Sequence, residues 1–183
     1  MQRMFSFFKR EKSKELPAIM VFTSKVQLYK WLIADAVQSP STIFYFFEET
    51  GNELRALLDA ARAETIKLLN WKDANKTMIS DKAYIAELYP LSGPYTNLIN
   101  SVQQRSKTSI QALSHLDSPI FIKMGGEKLK TLVARLGIRE DESISHAMVT
   151  RAISNLQSKL DQKVVAEREA NSIEDWYRTN VGH

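Results

Sequence analysis

Five consecutive apolar residues, Ile43 to Phe47 (IFYFF), present no polar face, so segment 41–47 must be covered on both sides. A strand at the surface of an antiparallel sheet alternates apolar with polar residues, whereas a strand roofed by helices above and below reads as a continuous run. Two further short runs have the same character: PAIMVFT (17–23), bounded by Pro17 and Ser24, and TIKLLNW (65–71). Stretches of roughly a dozen residues with helical spacing separate them. The β-α-β-α-β order predicts a parallel sheet with right-handed crossovers and helices on both faces.

The intervening helices carry their own signals. Val26, Tyr29, Ile33 and Val37 recur three or four residues apart, and Ser24 is placed to cap the first turn. After the second strand, Thr50 and Glu53 have the spacing of a capping box, and Leu54, Leu57, Leu58 and Ala61 continue a stripe. Residues 79–106 are expected to form two helical stretches, one marked by Tyr84, Ile85 and Leu88 and the other by Tyr95, Leu98, Ile99 and Val102, divided at PLSGP. Segment 108–113 reads as a fourth strand. Beyond Ser118 the pattern becomes helical: Leu129, Leu132, Val133 and Leu136 end at Gly137, and Val149, Ile153, Leu156, Leu160 and Val164 mark a long helix from 146 to about 169.

The expected fold is α/β: a three-layer, Rossmann-type parallel sheet of four to five strands over 17–117, a helical C-terminal extension over 118–183, and a separate tail over 1–16. A chain of 183 residues can build one well-buried core with such an appendage. The absence of cysteine removes disulfide scaffolds, thiolate metal sites and cysteine nucleophiles. With 25 basic against 21 acidic residues the charge is mixed, and no nucleic-acid partner is expected. No apolar run approaches the roughly 20 residues that cross a bilayer, so no transmembrane segment and a cytoplasmic location are expected. In the tail, Phe5, Phe7 and Phe8 precede Lys9 and Arg10, the reverse of a signal peptide's order; these five are candidates for contact with a partner or an anionic lipid surface.

Candidate chemistry is sparse. The phosphate cradle G-x-x-x-x-G-K-S/T is absent, and VFTSKVQLYK, after the first strand, has no glycine to let a phosphate approach the backbone. Glu48 and Glu49 follow IFYFF as magnesium-binding acids do in helicase-type ATPases, but without a cradle they read as first-turn acids, favoured by the helix dipole by about 0.3–1 kcal/mol. Gly125 and Gly126 read as a turn, and Trp31, Trp71 and Trp176 as packing residues. His115, His146 and His183 are too scattered for a metal site, and no nucleophile sits in a glycine-flanked elbow. No catalytic residue, metal or cofactor is expected.

The segment GGEKLKTLVARLGIREDESISHAMVTRAISNLQSKL resembles the SecA preprotein translocase family, where the second motor domain ends and the long scaffold helix begins. The resemblance rests on Gly126 and Glu127 opening a helix, Leu136 and Gly137 closing it, and His146, Met148, Thr150, Ala152 and Ile153 in the next. It implies a RecA-like motor fold over 17–117 joined to helices that touch the preprotein and the channel. The family's Q-x-R-G-R-x-G-R-Q-G-D and G-R-G-T-D motifs have no counterpart between 65 and 118, where Gln103, Gln104 and Arg105 are a fragment of the first. The implied protein is a degenerate, non-catalytic SecA-like module that binds another protein and is linked to protein translocation. Two alternatives stand beside it. One is an ATPase component completing its site with a partner, for which Arg105, Arg135, Arg139 or Arg151 supplies an arginine finger. The other is a peripheral membrane protein held by the N-terminal tail.

Overall fold

The structure, a computed structural model, describes residues 17–105, 107–123, 131, 139 and 142–182. The tail with Phe5, Phe7, Phe8, Lys9 and Arg10, and the helix expected over 129–136 with Gly126, Glu127, Leu136 and Gly137, lie outside the described residues.

Five strands run parallel: β1 (Ile19–Phe22), β2 (Ser41–Tyr45), β3 (Ile66–Asn70), β4 (Lys82–Ile85) and β5 (Ser109–His115). A sixth, β6 (Ser143–Ser145), pairs antiparallel with β1, with Val21 opposite Ile144, and the sheet order is β3-β2-β4-β5-β1-β6. The period-two alternation of side chains divides each strand between two cores. On one face Phe22, Ile43, Tyr84 and Leu113 cluster with Leu28, Leu32 and Ala36 of α1 (Lys25–Ala36) and with Leu54 and Leu58 of α2 (Glu48–Ala60). On the other, Val21, Phe44, Ile85 and Ala112 cluster with α3 (Ser92–Arg105), α4 (Pro119–Lys123), α5 (Ala147–Lys163) and α6 (Ile173–Asn180), through Leu98, Phe121, Ile153 and Trp176. Every residue of β2 is buried, which is why IFYFF has no polar face. The helices of the second face also hold one another: Asp161 of α5 accepts from the Ser92 backbone N–H and hydroxyl at the start of α3, and Gln157 donates to the Tyr89 carbonyl.

Five expectations need correction. The sheet has six strands rather than four or five, and its β6 edge is antiparallel. Segment 82–85 is a central strand where a helix was expected, because Ala83-Tyr84-Ile85 fills the place between β2 and β5. In α1 the sheet takes Leu28, Leu32 and Ala36, leaving Val26 61% and Val37 42% exposed. Both stripes satisfy helical spacing, and the one with two leucines wins, since full burial of each is worth about 1.5–3 kcal/mol. Finally, α2 starts at Glu48 with Phe47 as a cap that makes no side-chain bond, so Thr50 and Glu53 form no capping box. The C-terminal segment is also more than a helical extension: β6 joins the sheet and α5 and α6 enter its core.

One glycine is fixed by close packing. A Cβ built on Gly51 in α2 would lie 2.5–2.9 Å from three ring atoms of buried Tyr45. Alanine normally improves a helix interior by about 1 kcal/mol, but the overpacking here costs about 1–3 kcal/mol. Gly51→Ala should therefore lower the urea midpoint, and adding Tyr45→Leu should restore part of it; a midpoint raised by the alanine alone would contradict this packing.

Candidate functional site

The chain leaves β2 and β4, adjacent in the sheet, in opposite directions: α2 covers one face and α3 the other. Such a switch point opens a crevice at the carboxyl ends of the strands, the place where open α/β sheets bind their ligands. Here the crevice is filled from within. Glu87, two residues past β4, accepts at Oε1 from the backbone N–H groups of Phe46 (2.8 Å) and Phe47 (2.9 Å), and at Oε2 from the Thr50 hydroxyl (2.7 Å). These donors sit at the N-terminus of α2, whose partial positive charge favours an anion, and the chain supplies one itself.

Burial pushes the Glu87 carboxyl up to about 7, against the pull of the Thr50, Phe47 and Phe46 bonds and of the Lys25 charge. Part of the residue reaches the surface, but both carboxylate oxygens face these inner donors. Beside it, Glu53 of α2 takes an ion pair from Lys25 (2.6 Å) and a hydrogen bond from the Tyr29 hydroxyl (2.8 Å). Burial, and then the Glu53 carboxylate, hold Tyr29 far above the usual phenol range. His115, ending β5, has its Nδ1 buried without a hydrogen-bond partner, and burial pushes the imidazole down to about 4.

The space left among Lys25, Tyr29, Thr50, Glu87 and His115 is a cavity of about 40 Å³. That admits water, whereas small-molecule sites occupy roughly 300–1,000 Å³. Ile173 and Glu174 of α6 also line it, and the Glu49 N–H donates to the Asn171 carbonyl (3.1 Å) just before α6. Aromatic rings back this closure: Phe47 stacks on Tyr89 (5.4 Å between centroids, 11°), and Tyr89 meets Trp176 edge-on (6.3 Å). The Tyr89 hydroxyl and the Trp176 indole N–H both donate to Glu167.

The residues singled out by sequence serve other purposes. Glu48 accepts from the Asn70 amide (3.0 Å), while Glu49 lines the crevice. His146 caps α5, its Nδ1 accepting from the Met148 N–H (3.1 Å), and Met148 itself is 73% exposed. Thr150 accepts from the Ile19 N–H (3.4 Å), which ties α5 to the start of β1; Ala152 is half-buried and Ile153 belongs to the core. None of these five lines the crevice. Arg105, at the far end of α3, donates to the Ala74 carbonyl (2.8 Å), Arg151 is exposed, and Arg135 lies outside the described residues. Sequence reading missed Glu87, Lys25, Tyr29, Glu53 and His115 as a group. The signal that finds Lys25, Glu87 and His115 is position, since they lie at or just past the carboxyl ends of β1, β4 and β5, while Tyr29 and Glu53 come from the helices that follow β1 and β2. Among the described residues no cluster of three or more metal-binding side chains occurs, and no helix is long and apolar enough to cross a membrane.

No family model matches the chain. Among curated proteins it is similar to the protein translocase subunit SecA of Aromatoleum aromaticum, 40% identical over 48 residues, which is 26% of this chain and 5% of that protein. It is similar to SecA of Campylobacter jejuni, 49% identical over 46 residues, 25% of this chain and 5% of that protein. SecA of Methylococcus capsulatus is 40% identical over 48 residues, again 26% and 5%. The chain thus spans about a twentieth of the length of the curated relatives it matches, and the similarity supports a SecA-like region covering about a quarter of it.

Proposed function

We propose that this chain is a SecA-like protein-interaction module, related to protein translocation, whose RecA-like sheet has lost its nucleotide site. The observation that carries the reading is the Glu87 carboxylate on the backbone donors of Phe46 and Phe47. A phosphate approaching the switch point would meet a carboxylate where it needs N–H groups, and like charges repel. Two further features agree. The turn after β1, Thr23-Ser24-Lys25, has no glycine, and the cavity of about 40 Å³ is far smaller than a nucleotide site. The SecA-like region supports a protein partner and the link to translocation, since it is shared with translocase subunits.

Isothermal titration of the full chain with ATP and with ADP, each with magnesium, tests the reading. No binding heat is expected up to millimolar nucleotide. Micromolar binding of either would overturn the claim that the site is gone.

A further inference from the structure

A second, larger cleft lies away from the crevice. About 450 Å³ in volume, it is bounded by Trp71, Lys72 and Asn75, in and just after the 3-10 turn Trp71–Asp73, and by the outer face of α3. That face presents Asn97, Asn100, Ser101 and Gln104, spaced i, i+3, i+4 and i+7, so the four side chains form one row over two turns. A solvated helix face ordinarily carries charges; this one carries amides and a hydroxyl. Together with Asn75, five polar side chains converge there, and none makes a hydrogen bond within the described chain. The cleft lining contains no acid, and its one cation, Lys72, is paired with Glu169 (3.4 Å).

We propose that this cleft holds an extended, uncharged stretch of a partner polypeptide, about three residues long, recognised through its backbone amides. The proposal rests on the protein-binding reading above and names the kind of segment bound. Each Asn or Gln side chain offers one acceptor and one NH₂ donor, the same complement as a peptide group. Residues 97 to 104 rise about 10 Å along α3, and three residues of extended chain span about the same length. The neutral lining gives no purchase to a charged segment. Trp71 already packs against Phe46 (5.7 Å) and Tyr89 (6.3 Å), so its ring is a wall for an apolar side chain rather than a free face on which a sugar would stack.

The test uses the full chain labelled with nitrogen-15 and a Leu-Ser alternating hexapeptide blocked at both ends, because backbone recognition tolerates any uncharged sequence. The side-chain NH₂ signals of Asn75, Asn97, Asn100 and Gln104 should shift together. The triple variant Asn97→Ala, Asn100→Ala, Gln104→Ala should weaken binding at least about tenfold, a loss of order one hydrogen bond. It should not lose thermal stability, since alanine favours a helix. Absence of shifts at millimolar peptide, shifts confined to other residues, or unchanged affinity in the triple variant would each overturn the proposal. So would maltotriose moving these signals where the peptide does not, which would assign the cleft to a saccharide. The nucleotide titration does not involve these side chains, so the two readings fail separately.

Discussion

Unfolded with urea across a pH series, Glu87→Gln should lose stability as the pH falls below about 6.5, and His115→Gln should lose it as the pH rises above about 4.5, while the parent stays nearly level between. The signs follow from the two displacements. Glu87 has its carboxyl raised from 4.5 to about 7, so its stabilising contribution is complete below 4.5 and is lost as the pH rises through 7. His115 is lowered from 6.5 to about 4, so its contribution is complete above 6.5 and is lost as the pH falls through 4. Each shift corresponds to at most about 3 kcal/mol, and in the shared window the two slopes oppose one another.

Glutamine at position 87 keeps the site satisfied, with its carbonyl oxygen accepting from the Phe46 and Phe47 N–H groups and its NH₂ donating to the Thr50 hydroxyl oxygen. The variant should therefore match the parent near pH 4.5 and exceed it by up to about 3 kcal/mol at pH 8. Parent and Glu87→Gln curves that coincide at pH 8 would show that Glu87 ionises freely.

Much of this sheet is legible in the sequence, and the exceptions have physical causes. Runs such as IFYFF and PAIMVFT leave no alternative to two-sided burial, so β1 and β2 stand out. Segment 82–88 does not, because Tyr84, Ile85 and Leu88 fit a helix turn as well as a strand, and only the gap between β2 and β5 selects the strand. In β6, Ser143-Ile144-Ser145 offers a single apolar residue, and its pairing with β1 is settled by tertiary structure. The crevice is less legible still. Glu87 takes its donors from residues 37 to 41 positions away, so no local spacing announces it. The absence of a glycine cradle could be read directly, whereas the Glu87 carboxylate on the Phe46 and Phe47 N–H groups could not.

Trp176→Ala should cost about 3–5 kcal/mol and, in a His115→Gln background, should also alter the pH dependence. Trp176 is fully buried, meets Tyr89 and Tyr177 edge-on, and donates its indole N–H to Glu167 (2.5 Å). Helix α6 has eight residues, too few to persist without tertiary packing, so its place over the crevice depends on this anchor. When α6 leaves, Ile173 and Glu174 uncover the cavity and water reaches Glu87 and His115 alike, so the carboxyl returns toward 4.5 and the imidazole toward 6.5. The His115→Gln background removes the second, opposing effect. The parent has already lost the Glu87 contribution at pH 8 and retains it at pH 5, whereas the variant lacks it at both. In the His115→Gln background the deficit of Trp176→Ala should therefore be larger at pH 5 than at pH 8, by up to about 3 kcal/mol. Trp176→Phe separates packing from bonding: it keeps a ring in the core, leaves Glu167 with the Tyr89 hydroxyl, and should cost about 1–2 kcal/mol equally at both pH values. In the His115→Gln background, a deficit in Trp176→Ala that is equal at pH 5 and pH 8 would mean that α6 does not seal the crevice, and that the elevation of Glu87 comes from β2, β4 and α2 alone.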